Sequence, residues 1–298
     1  MSEKESLLVL VGPTASGKSA LALELAERLG GEIISADSVQ VYRRFDIGSG
    51  KPTSAERARV PHHLIDVAEP TEPMDAARWA ELADAAIAGV RQRGRVPIVC
   101  GGTFLWVRAL LLGLVPAPPA DEAIRARHRA TAESSGRAAL HAALSQVDPV
   151  AARRLAPNDF VRVSRALEVY ELTGQPLSTW HEGHGFRQRR HEARLVGLKW
   201  EPEALAARIA ARARAMFEAG LVDEVRGLLQ AGYAECRAMG SVGYRQVADA
   251  LAEGRADEGA LLAEVVRATR VFARRQRTWL RDEAVTWLDP DAARSFAG

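Results

Sequence analysis

Short apolar runs alternate with helix-like patterns along most of this chain. In the stretch 75–92, for example, apolar residues recur every three or four positions and therefore fall on one helix face. Strands that alternate with helices predict an α/β fold whose mainly parallel sheet is covered by helices on both sides. The predicted strands are Leu7–Val11, 32–35, 96–100, 195–200 and, with a weaker pattern, Val285–Leu288.

One long stretch of the chain, from residue 117 to residue 192, has no convincing strand pattern. Its periodicity predicts helices that end at turns rich in glycine, proline and aspartate. We therefore expect a helical insertion domain at 117–192 within an α/β core. The first part of that core is 1–116, and its second part, 193–298, holds the last strands and the C-terminal helices.

The first predicted strand leads directly into the phosphate-binding motif G-x-x-x-x-G-K-[ST]. Glycines let the loop N–H groups turn toward an anion, the helix N-terminus adds partial positive charge, and Lys18 adds a full one. Ser19 supplies a hydroxyl that can bind Mg²⁺. The motif therefore predicts a P-loop NTPase-like core that binds a polyphosphate, without identifying which one. The predicted phosphate-binding residues are Gly12, Pro13, Thr14, Ala15, Ser16, Gly17, Lys18 and Ser19.

Composition narrows the class of protein. The hydrophobic share is 47% and the net charge is +2, as in ordinary globular proteins. No apolar run approaches the ~20 residues that span a bilayer, and the N-terminus is polar, so we expect neither a membrane span nor a secretory signal. The two cysteines, Cys100 and Cys236, are too few for a disulfide framework and fit a cytoplasmic location.

The second and third predicted strands are followed by different types of residue. Asp37 follows the second strand, at the sheet edge where the phosphate loop is also expected. There it could bind Mg²⁺ through water, act as a general base, or cap the next turn. The third strand ends in Gly101, Gly102 and Thr103, without the carboxylate that ATP-hydrolysing P-loop proteins place at such an end. The absence of that carboxylate disfavours an NTPase.

The C-terminal segment 265–281 contains six arginines and no acidic residue. Five of these arginines share one helix face, and a second face is predicted to pack against the body of the protein. The cationic face favours contact with the phosphates of RNA or DNA, and the alternative is a solvated face paired with acidic neighbours. The arginines are Arg267, Arg270, Arg274, Arg277 and Arg281. The packing face comprises Val265, Thr269, Phe272, Gln276 and Trp279.

Two pairs of histidines, His62 with His63 and His181 with His184, invite comparison with metal sites. Neither pair has the spacing of a tetrahedral site, and no cysteine lies near either pair in the sequence. We expect loop histidines that form hydrogen bonds instead.

Ordered blocks across almost the whole chain carry a family resemblance. The chain resembles the bacterial-type tRNA dimethylallyltransferases, the isopentenyl-transferring family of tRNA modification. Eight blocks in the same order make coincidence implausible. They are GPTASGKS at 12–19, DSVQVYRRFDIGSGKPT at 37–53, HHLID at 62–66, GGTFLWVRALLLGL at 101–114, NDFVRVSRALEVYELTG at 158–174, RIAARARAMFEAGLVDEV at 208–225, SVGYRQ at 241–246 and RRQRTWLR at 274–281.

The resemblance implies a reaction between tRNA and dimethylallyl diphosphate. The N6 amine of the adenosine adjacent to the anticodon would attack C1 of dimethylallyl diphosphate, giving N6-isopentenyladenosine and pyrophosphate. By match to the family, Asp37 is the general base, Arg212 contacts the pyrophosphate and Thr103 lies in the reaction channel. The loop 12–19 would bind the diphosphate, with Mg²⁺ on Ser19.

The resemblance also implies that the anticodon stem-loop of tRNA is the partner. The insertion would hold the stem-loop from one side and the arginine-rich helix from the other. We expect a monomer without membrane association. By the same match, the tRNA-binding residues are Asp37, Ser38, Val39, Gln40, Thr103, Arg125, Val161, Arg162, Val163, Ser164, Arg165, Ser241, Val242, Gly243, Tyr244, Arg245 and Gln246.

Three other functions share part of this pattern. A P-loop small-molecule kinase would use the phosphate loop but leaves the arginine-rich segment without a role. A nucleotide-gated RNA-binding protein would use both features without catalysis. An isopentenyltransferase that acts on free adenylate would share the chemistry but has less need of the insertion.

Overall fold

The chain folds into two compact units in a computed structural model that describes residues 6–184 and 189–296. The first unit is Met1–Leu111 together with Arg190–Gly298, and the second is Leu112–Arg189. Both ends of the second unit lie a few residues before the predicted limits of the insertion, 117 and 192. Within the described residues, no helix is long and apolar enough to cross a membrane.

The described part of the first unit contains one six-stranded parallel sheet, which confirms the predicted α/β fold. Its strands are β1 (Leu7–Val11), β2 (Gly31–Ser35), β3 (His62–His63), β4 (Val96–Gly101), β5 (Ala193–Leu198) and β6 (Val285–Leu288). Their order in the sheet is β3-β2-β4-β1-β5-β6. The carboxyl ends of β1, β2 and β4 therefore meet at one edge, where the phosphate loop, Asp37 and Thr103 follow.

Two strand predictions differ from the structure. β5 begins and ends two residues before the predicted 195–200, and Trp200 lies outside the sheet, where its indole nitrogen donates to the carbonyl of Ser16. β3 was not predicted, because two residues are too few to show a periodicity. His62 pairs with Ile33 of β2, so His62 and His63 are strand residues and not the loop residues we expected.

Helices make up most of the remaining described chain, and their apolar faces supply much of the core. The stacked indoles of Trp79 and Trp106, with centroids 5.3 Å apart, belong to two of these helices and are almost wholly buried. The helices are α1 (Lys18–Leu29), α2 (Ser54–Arg59), α3 (Ala76–Gln92), α4 (Phe104–Leu112), α5 (Glu122–Ser135), α6 (Arg137–Val147), α7 (Pro149–Arg154), α8 (Phe160–Thr173), α9 (Leu177–His184), α10 (Pro202–Glu218), α11 (Leu221–Gln230), α12 (Tyr244–Ala252) and α13 (Glu258–Trp279).

The second unit is built from α5 to α9, and its described residues contain no strand, as predicted. Leu140 and Leu144 of α6 pack against Val163 and Ala166 of α8 to form its apolar core. His181 and His184 lie within α9, so the expectation that they are loop histidines is wrong. The alternation of apolar residues with turn residues was sufficient to predict this all-helical unit.

α13 differs from its predicted pattern in two respects. The helix begins at Glu258, so it has acidic residues ahead of the arginine-rich segment 265–281. It ends at Trp279, so Arg281 lies beyond the helix and not on the predicted helix face. Val265 and Gln276 are buried, as predicted, but Phe272 and Trp279 are 40% and 47% exposed. The buried strip instead includes Ala273, which packs in one cluster with Leu205 and Ile209 of α10. The predicted packing of Phe272 and Trp279 is therefore wrong, because the contact with α10 is narrower than the apolar face.

Candidate active site

The loop between β1 and α1 has the geometry of an anion-binding cradle. Ala15 and Gly17 adopt positive φ values of 63° and 95°, which turn the chain sharply before α1 begins at Lys18. Such φ values favour glycine and are unusual for alanine. The Ser16 hydroxyl is completely buried and has no hydrogen-bond partner in the described structure. An anion at the N-terminus of α1 would satisfy the orphan groups of this loop.

The loop is braced by side chains from distant parts of the first unit. The backbone N–H of Thr14 donates to Oε1 of Gln276 at 2.8 Å, and Nε2 of Gln276 donates to the carbonyl of Gly102 at 2.9 Å. The indole nitrogen of Trp200 donates to the carbonyl of Ser16 at 2.7 Å. Gln276 therefore links the phosphate loop to the end of β4, where Thr103 follows.

A cavity of about 360 Å³ opens beside this loop and is lined by three cations. Nε of Arg208 donates to the carbonyl of Ala15 at 2.8 Å, and the Arg208 guanidinium lies 4.4 Å from the ring centroid of Trp200. Nη2 of Arg212 donates to the carbonyl of Ser49 at 3.3 Å. Among the described residues, Lys18, Arg208 and Arg212 have no carboxylate within ion-pair distance. Unneutralised cations around one cavity indicate a site for a multiply charged anion.

Burial perturbs two of these cations. Desolvation lowers the pKa of Lys18, the nearby Arg212 guanidinium lowers it further, and the Cys100 and Asp37 side chains oppose this shift. Desolvation also lowers the pKa of Arg212, and Asp37 again opposes the shift. Both groups carry charge that is poorly solvated, so a bound anion would be strongly favoured. Asp37 accepts from the N–H of Gln40, whose side chain shares the Ser49 carbonyl with Arg212, so this carboxylate lies close to the cations.

Asp37 and Thr103, predicted to lie near each other, are joined through Ser38. Oδ1 of Asp37 accepts hydrogen bonds from the N–H groups of Val39 at 2.9 Å and Gln40 at 3.3 Å, which forms a tight turn after β2. The N–H of Ser38 donates to Oγ1 of Thr103 at 3.0 Å. No donor in the described structure reaches Oδ2 of Asp37. The turn orients the carboxylate and leaves one oxygen available for chemistry.

Gln40 belongs to the same turn but its amide is used within the protein. Its Oε1 accepts from the Ser35 hydroxyl at 2.9 Å, and its Nε2 donates to the carbonyls of Ser49 at 3.3 Å and Gly50 at 3.1 Å. Gln40 and Arg212 therefore share the Ser49 carbonyl as an acceptor. Its predicted contact with tRNA stays a prediction.

The residues 241–246, predicted to bind tRNA, divide into buried and exposed positions. Tyr244 is completely buried, and Gln246 is 4% exposed, with its Oε1 accepting from the N–H of Gly243 at 2.8 Å. Arg245 is exposed, and Ser241 and Val242 are half-buried. The surface available to a partner at this segment is therefore provided by Arg245, Ser241 and Val242.

The predicted tRNA-binding residues of the second unit divide in the same way. Val161 and Arg162 are exposed, whereas Val163 and Ser164 are buried in the core of that unit. Arg125 contacts the carboxylate of Glu168, with Nε 2.9 Å from Oε1, and Arg165 contacts the same carboxylate. Their predicted roles in tRNA binding stay predictions.

His62 and His63 form hydrogen bonds, as expected. Nδ1 of His62 contacts the carbonyl of Val60 at 2.8 Å, and Nε2 of His63 contacts Oε2 of Glu32 at 2.7 Å. In the described structure, no group of three or more histidine, cysteine, aspartate or glutamate residues could hold a metal ion.

Comparison with known proteins decides the family. The family model described as "IPP transferase" matches residues 40–283, and one described as "Isopentenyl transferase" matches residues 5–67. A tRNA dimethylallyltransferase of Sorangium cellulosum is 64% identical over 282 residues, which cover 95% of this chain and 90% of the relative. The chain belongs to the tRNA dimethylallyltransferase family. A second member, from Geobacter metallireducens, is 50% identical over 290 residues.

Solved structures of the dimethylallyltransferase family share the fold. The tRNA isopentenylpyrophosphate transferase of Bacillus halodurans superposes with a TM-score of 0.69 at 39% identity, covering 96% of this chain and 90% of that one. A eukaryotic dimethylallyltransferase, described as acting on tRNA, superposes with a TM-score of 0.76 at 25% identity. The alignment with the eukaryotic enzyme covers 96% of this chain and 74% of that one.

Sequence reasoning missed several residues of this dimethylallyltransferase site. Gln276 was assigned only to a packing face, Trp200 was assigned to a strand, and Arg208 was given no role. Arg208 precedes Arg212 by one helical turn, so the shared face of α10 was a usable signal. The contacts of Gln276 and Trp200 join residues that are more than 180 positions apart, and no local pattern indicates them.

Proposed function

We propose that this chain transfers the dimethylallyl group of dimethylallyl diphosphate to the N6 amine of the adenosine adjacent to the anticodon in tRNA. The observation that carries the proposal is the cation-lined cavity beside the P-loop, with the Asp37 turn joined to Arg212 through Gln40 and the Ser49 carbonyl. A bound diphosphate would supply the negative counter-charge that these cations lack. A carboxylate beside the diphosphate can act on the nucleophile that attacks the adjacent carbon.

The cations and the loop amides would stabilise the leaving pyrophosphate. Negative charge develops on that group as the C1–O bond breaks, and Lys18, Arg212 and the N–H groups at the start of α1 are oriented before the reaction begins. Arg208 is held against Ala15 and Trp200, so its position is likewise set in advance. Because allylic substrates ionise readily, stabilising the leaving group addresses much of the barrier.

Asp37 would accept the proton of the adenine amine as the new C–N bond forms. Its Oδ1 is held by two backbone N–H groups, which leaves Oδ2 for the substrate. Thr103 fixes the position of the adjacent residue through the Ser38 N–H. The base must leave its stack to reach this carboxylate, as in other enzymes that act on a nucleobase.

Mg²⁺ fits the donor set at the start of α1. The ion prefers oxygen ligands and keeps several waters, so a single protein hydroxyl together with phosphate oxygens is a suitable environment. Ser19 is exposed at the second position of α1 and lines the same cavity as Lys18. When bound, the ion would supply further positive charge to the leaving diphosphate.

tRNA would be held largely through its phosphates. The five arginines of the C-terminal segment, four in α13 and Arg281 just after it, are exposed, and in the described structure none of them is paired with a carboxylate. The second unit is proposed to contribute Val161 and Arg162, which are exposed at the start of α8. A monomer and a cytoplasmic location remain predictions from the sequence. The five arginines are Arg267, Arg270, Arg274, Arg277 and Arg281.

A direct assay tests the proposed function. The full chain is incubated with dimethylallyl diphosphate, Mg²⁺ and unmodified tRNA, and the tRNA nucleosides are then analysed by mass spectrometry. We expect N6-isopentenyladenosine at the position next to the anticodon. Modification of AMP in preference to an anticodon stem-loop would instead identify an adenylate isopentenyltransferase. Phosphate transfer from labelled ATP to a metabolite, with no modified tRNA, would identify a kinase.

A further inference from the structure

The irregular loop 45–51, between β2 and α2, is held by two side chains from the C-terminal part of the first unit. Oε2 of Glu224 accepts hydrogen bonds from the N–H groups of Asp46 at 3.1 Å and Ile47 at 2.8 Å. Oε1 of the same carboxylate accepts from the N–H of Gly48 at 3.2 Å. Three consecutive amides thus converge on one carboxylate in α11.

Tyr244, the first residue of α12, completes this arrangement. Its hydroxyl donates to Oε1 of Glu224 at 2.6 Å and accepts from the N–H of Ser49 at 3.2 Å. The tyrosine is completely buried, and its ring lies 4.8 Å from that of Phe45. The approach is so close that a Cβ atom at Gly48 would lie 2.6 Å from the tyrosine ring. We call Glu224 and Tyr244 the loop clamp.

The clamped loop presents one carbonyl to the active site. The Ser49 carbonyl accepts from Nη2 of Arg212 at 3.3 Å and from Nε2 of Gln40 at 3.3 Å. Arg212 lines the cavity of the phosphate loop, and Gln40 lies in the turn that orients Asp37. The N–H of Ser49 donates to the clamp, and the carbonyl of Ser49 accepts from Arg212 and Gln40. A shift of the clamp would therefore move the side chains of Arg212 and Gln40.

From these contacts we infer that Glu224 and Tyr244 are positioning residues, which set the orientation of Arg212 and Gln40 through loop 45–51. The inference rests on the proposed function for the identity of the anion. It gives Tyr244, expected from the family resemblance to bind tRNA, a different role, because a completely buried ring offers no surface to RNA. Position 224 requires a carboxylate, because the three backbone N–H groups and the Tyr244 hydroxyl that face it all donate hydrogen bonds.

The test separates diphosphate binding from tRNA binding. Tyr244→Phe removes the hydroxyl that accepts from Ser49, and Glu224→Gln turns one acceptor oxygen into a donor that faces N–H groups. We expect each variant to weaken binding of inorganic pyrophosphate and to lower kcat/KM for dimethylallyl diphosphate by roughly 10- to 100-fold. The Kd for an anticodon stem-loop should change less than about 2-fold, because Tyr244 is completely buried and both oxygens of Glu224 are hydrogen-bonded within the protein.

Matched variants keep the result interpretable. Asp223→Asn changes an exposed carboxylate in the same helix and should leave all three measurements at the wild-type values. Gly48→Ala displaces the loop without removing any hydrogen-bonding group, and it should reproduce the loss of pyrophosphate affinity if either clamp variant fails to fold. Circular dichroism of each variant establishes that the fold is retained.

Two outcomes would overturn the inference. If Tyr244→Phe weakens stem-loop binding as much as it lowers kcat/KM, the tyrosine contacts tRNA. If folded Tyr244→Phe and Gly48→Ala both bind pyrophosphate like the wild type, the loop does not set the orientation of Arg212. Failure of the wild-type chain to modify tRNA would instead contradict the proposed function, and the pyrophosphate titration does not depend on that reaction.

Discussion

Two sets of arginines, one in each unit, are in opposite electrostatic situations. In the second unit, Arg125 and Arg165 share the carboxylate of Glu168, and Arg127 is paired with Glu171. In the first unit, the described structure places no carboxylate within ion-pair distance of Arg208 or Arg212, nor of the arginine face of α13. The same residue type therefore stabilises the second unit internally at Glu168 and Glu171, whereas beside the phosphate loop and on α13 its charge is available to ligands.

Glu168 shows why the pairing in the second unit is structural. It is completely buried, and its oxygens accept from Nε of Arg125 at 2.9 Å and from the N–H of Asp121 at 2.7 Å. Burial by itself would raise the pKa of Glu168, but the hydrogen bonds from Arg165 and Arg125 lower it below the usual value. A buried charge with this many donors costs more to break than an exposed pair. The number of arginines in the sequence therefore overstates the positive charge available to RNA, because arginines such as Arg125 and Arg165 are neutralised within the protein.

The largest effect is expected at the carboxylate that faces the unpaired cations. Asp37→Ala should lower the rate of dimethylallyl transfer by about 10²- to 10⁴-fold, because it removes the proposed general base. Single-turnover assays with saturating tRNA measure this loss. Stem-loop affinity, measured by filter binding, should stay within a few-fold of wild type. Wild-type transfer rates in Asp37→Ala would show that the carboxylate is not the base.

The comparison itself is tested by removing one arginine of each kind. Arg212→Ala should lower kcat/KM for dimethylallyl diphosphate by about 10²- to 10³-fold, since it removes preorganised charge from the leaving group. Arg127→Ala, at an exposed ion pair of the second unit, should change kcat/KM by less than about 2-fold. Steady-state kinetics with varied dimethylallyl diphosphate give both values. Similar losses in both variants would remove the distinction between paired and unpaired arginines.

The structural role of the paired arginines predicts a loss of stability. Glu168→Gln should lower the free energy of unfolding by about 3 kcal/mol, because the half-buried guanidinium groups of Arg125 and Arg165 lose a completely buried counter-charge. Denaturant titration followed by circular dichroism measures this difference. Glu171→Gln, which disturbs a more exposed carboxylate of the same unit, should cost less than about 1 kcal/mol. Equal losses in both variants would contradict the special role of burial at Glu168.

The lowered pKa of Glu168 also predicts a pH dependence. A carboxylate whose pKa is lower in the folded state contributes stability that is present above its unfolded pKa of 4.5 and lost as the pH falls below it. As the pH falls below 4.5, the free energy of unfolding should therefore decrease more steeply for the wild type than for Glu168→Gln. Parallel pH profiles for the two proteins would argue against a charged Glu168 in the native state.

The smallest effect is expected on the arginine face of α13. Removing two of its members, as Arg274→Ala with Arg277→Ala, should reduce the dependence of log Kd on log salt by about 1.5 to 2. Arg255→Ala is a matched control, because this arginine precedes α13 but is paired with Glu253 and Glu264. Stem-loop titrations at several salt concentrations give the slopes. An unchanged slope in the double variant would mean that α13 does not contact phosphates.

Features encoded by neighbouring residues could be predicted from the chain. The phosphate loop 12–19, the parallel sheet and the helical nature of 117–192 follow from glycine spacing and apolar periodicity, which act over a few residues. The family blocks placed Asp37 and Thr103 in one site, and the structure joins them through the Ser38 N–H. Their proposed roles in the reaction still rest on the resemblance.

Only the tertiary structure decided which side chains support that site. Gln276 reaches Thr14 across 262 positions, and Glu224 reaches loop 45–51 across more than 170. β3 was missed because it has two residues, and Phe272 and Trp279 were misassigned because periodicity identifies an apolar face but not the width of its contact. A local pattern reflects the conformation and polarity of a segment. Its partners depend on how all segments pack together, which no single segment encodes.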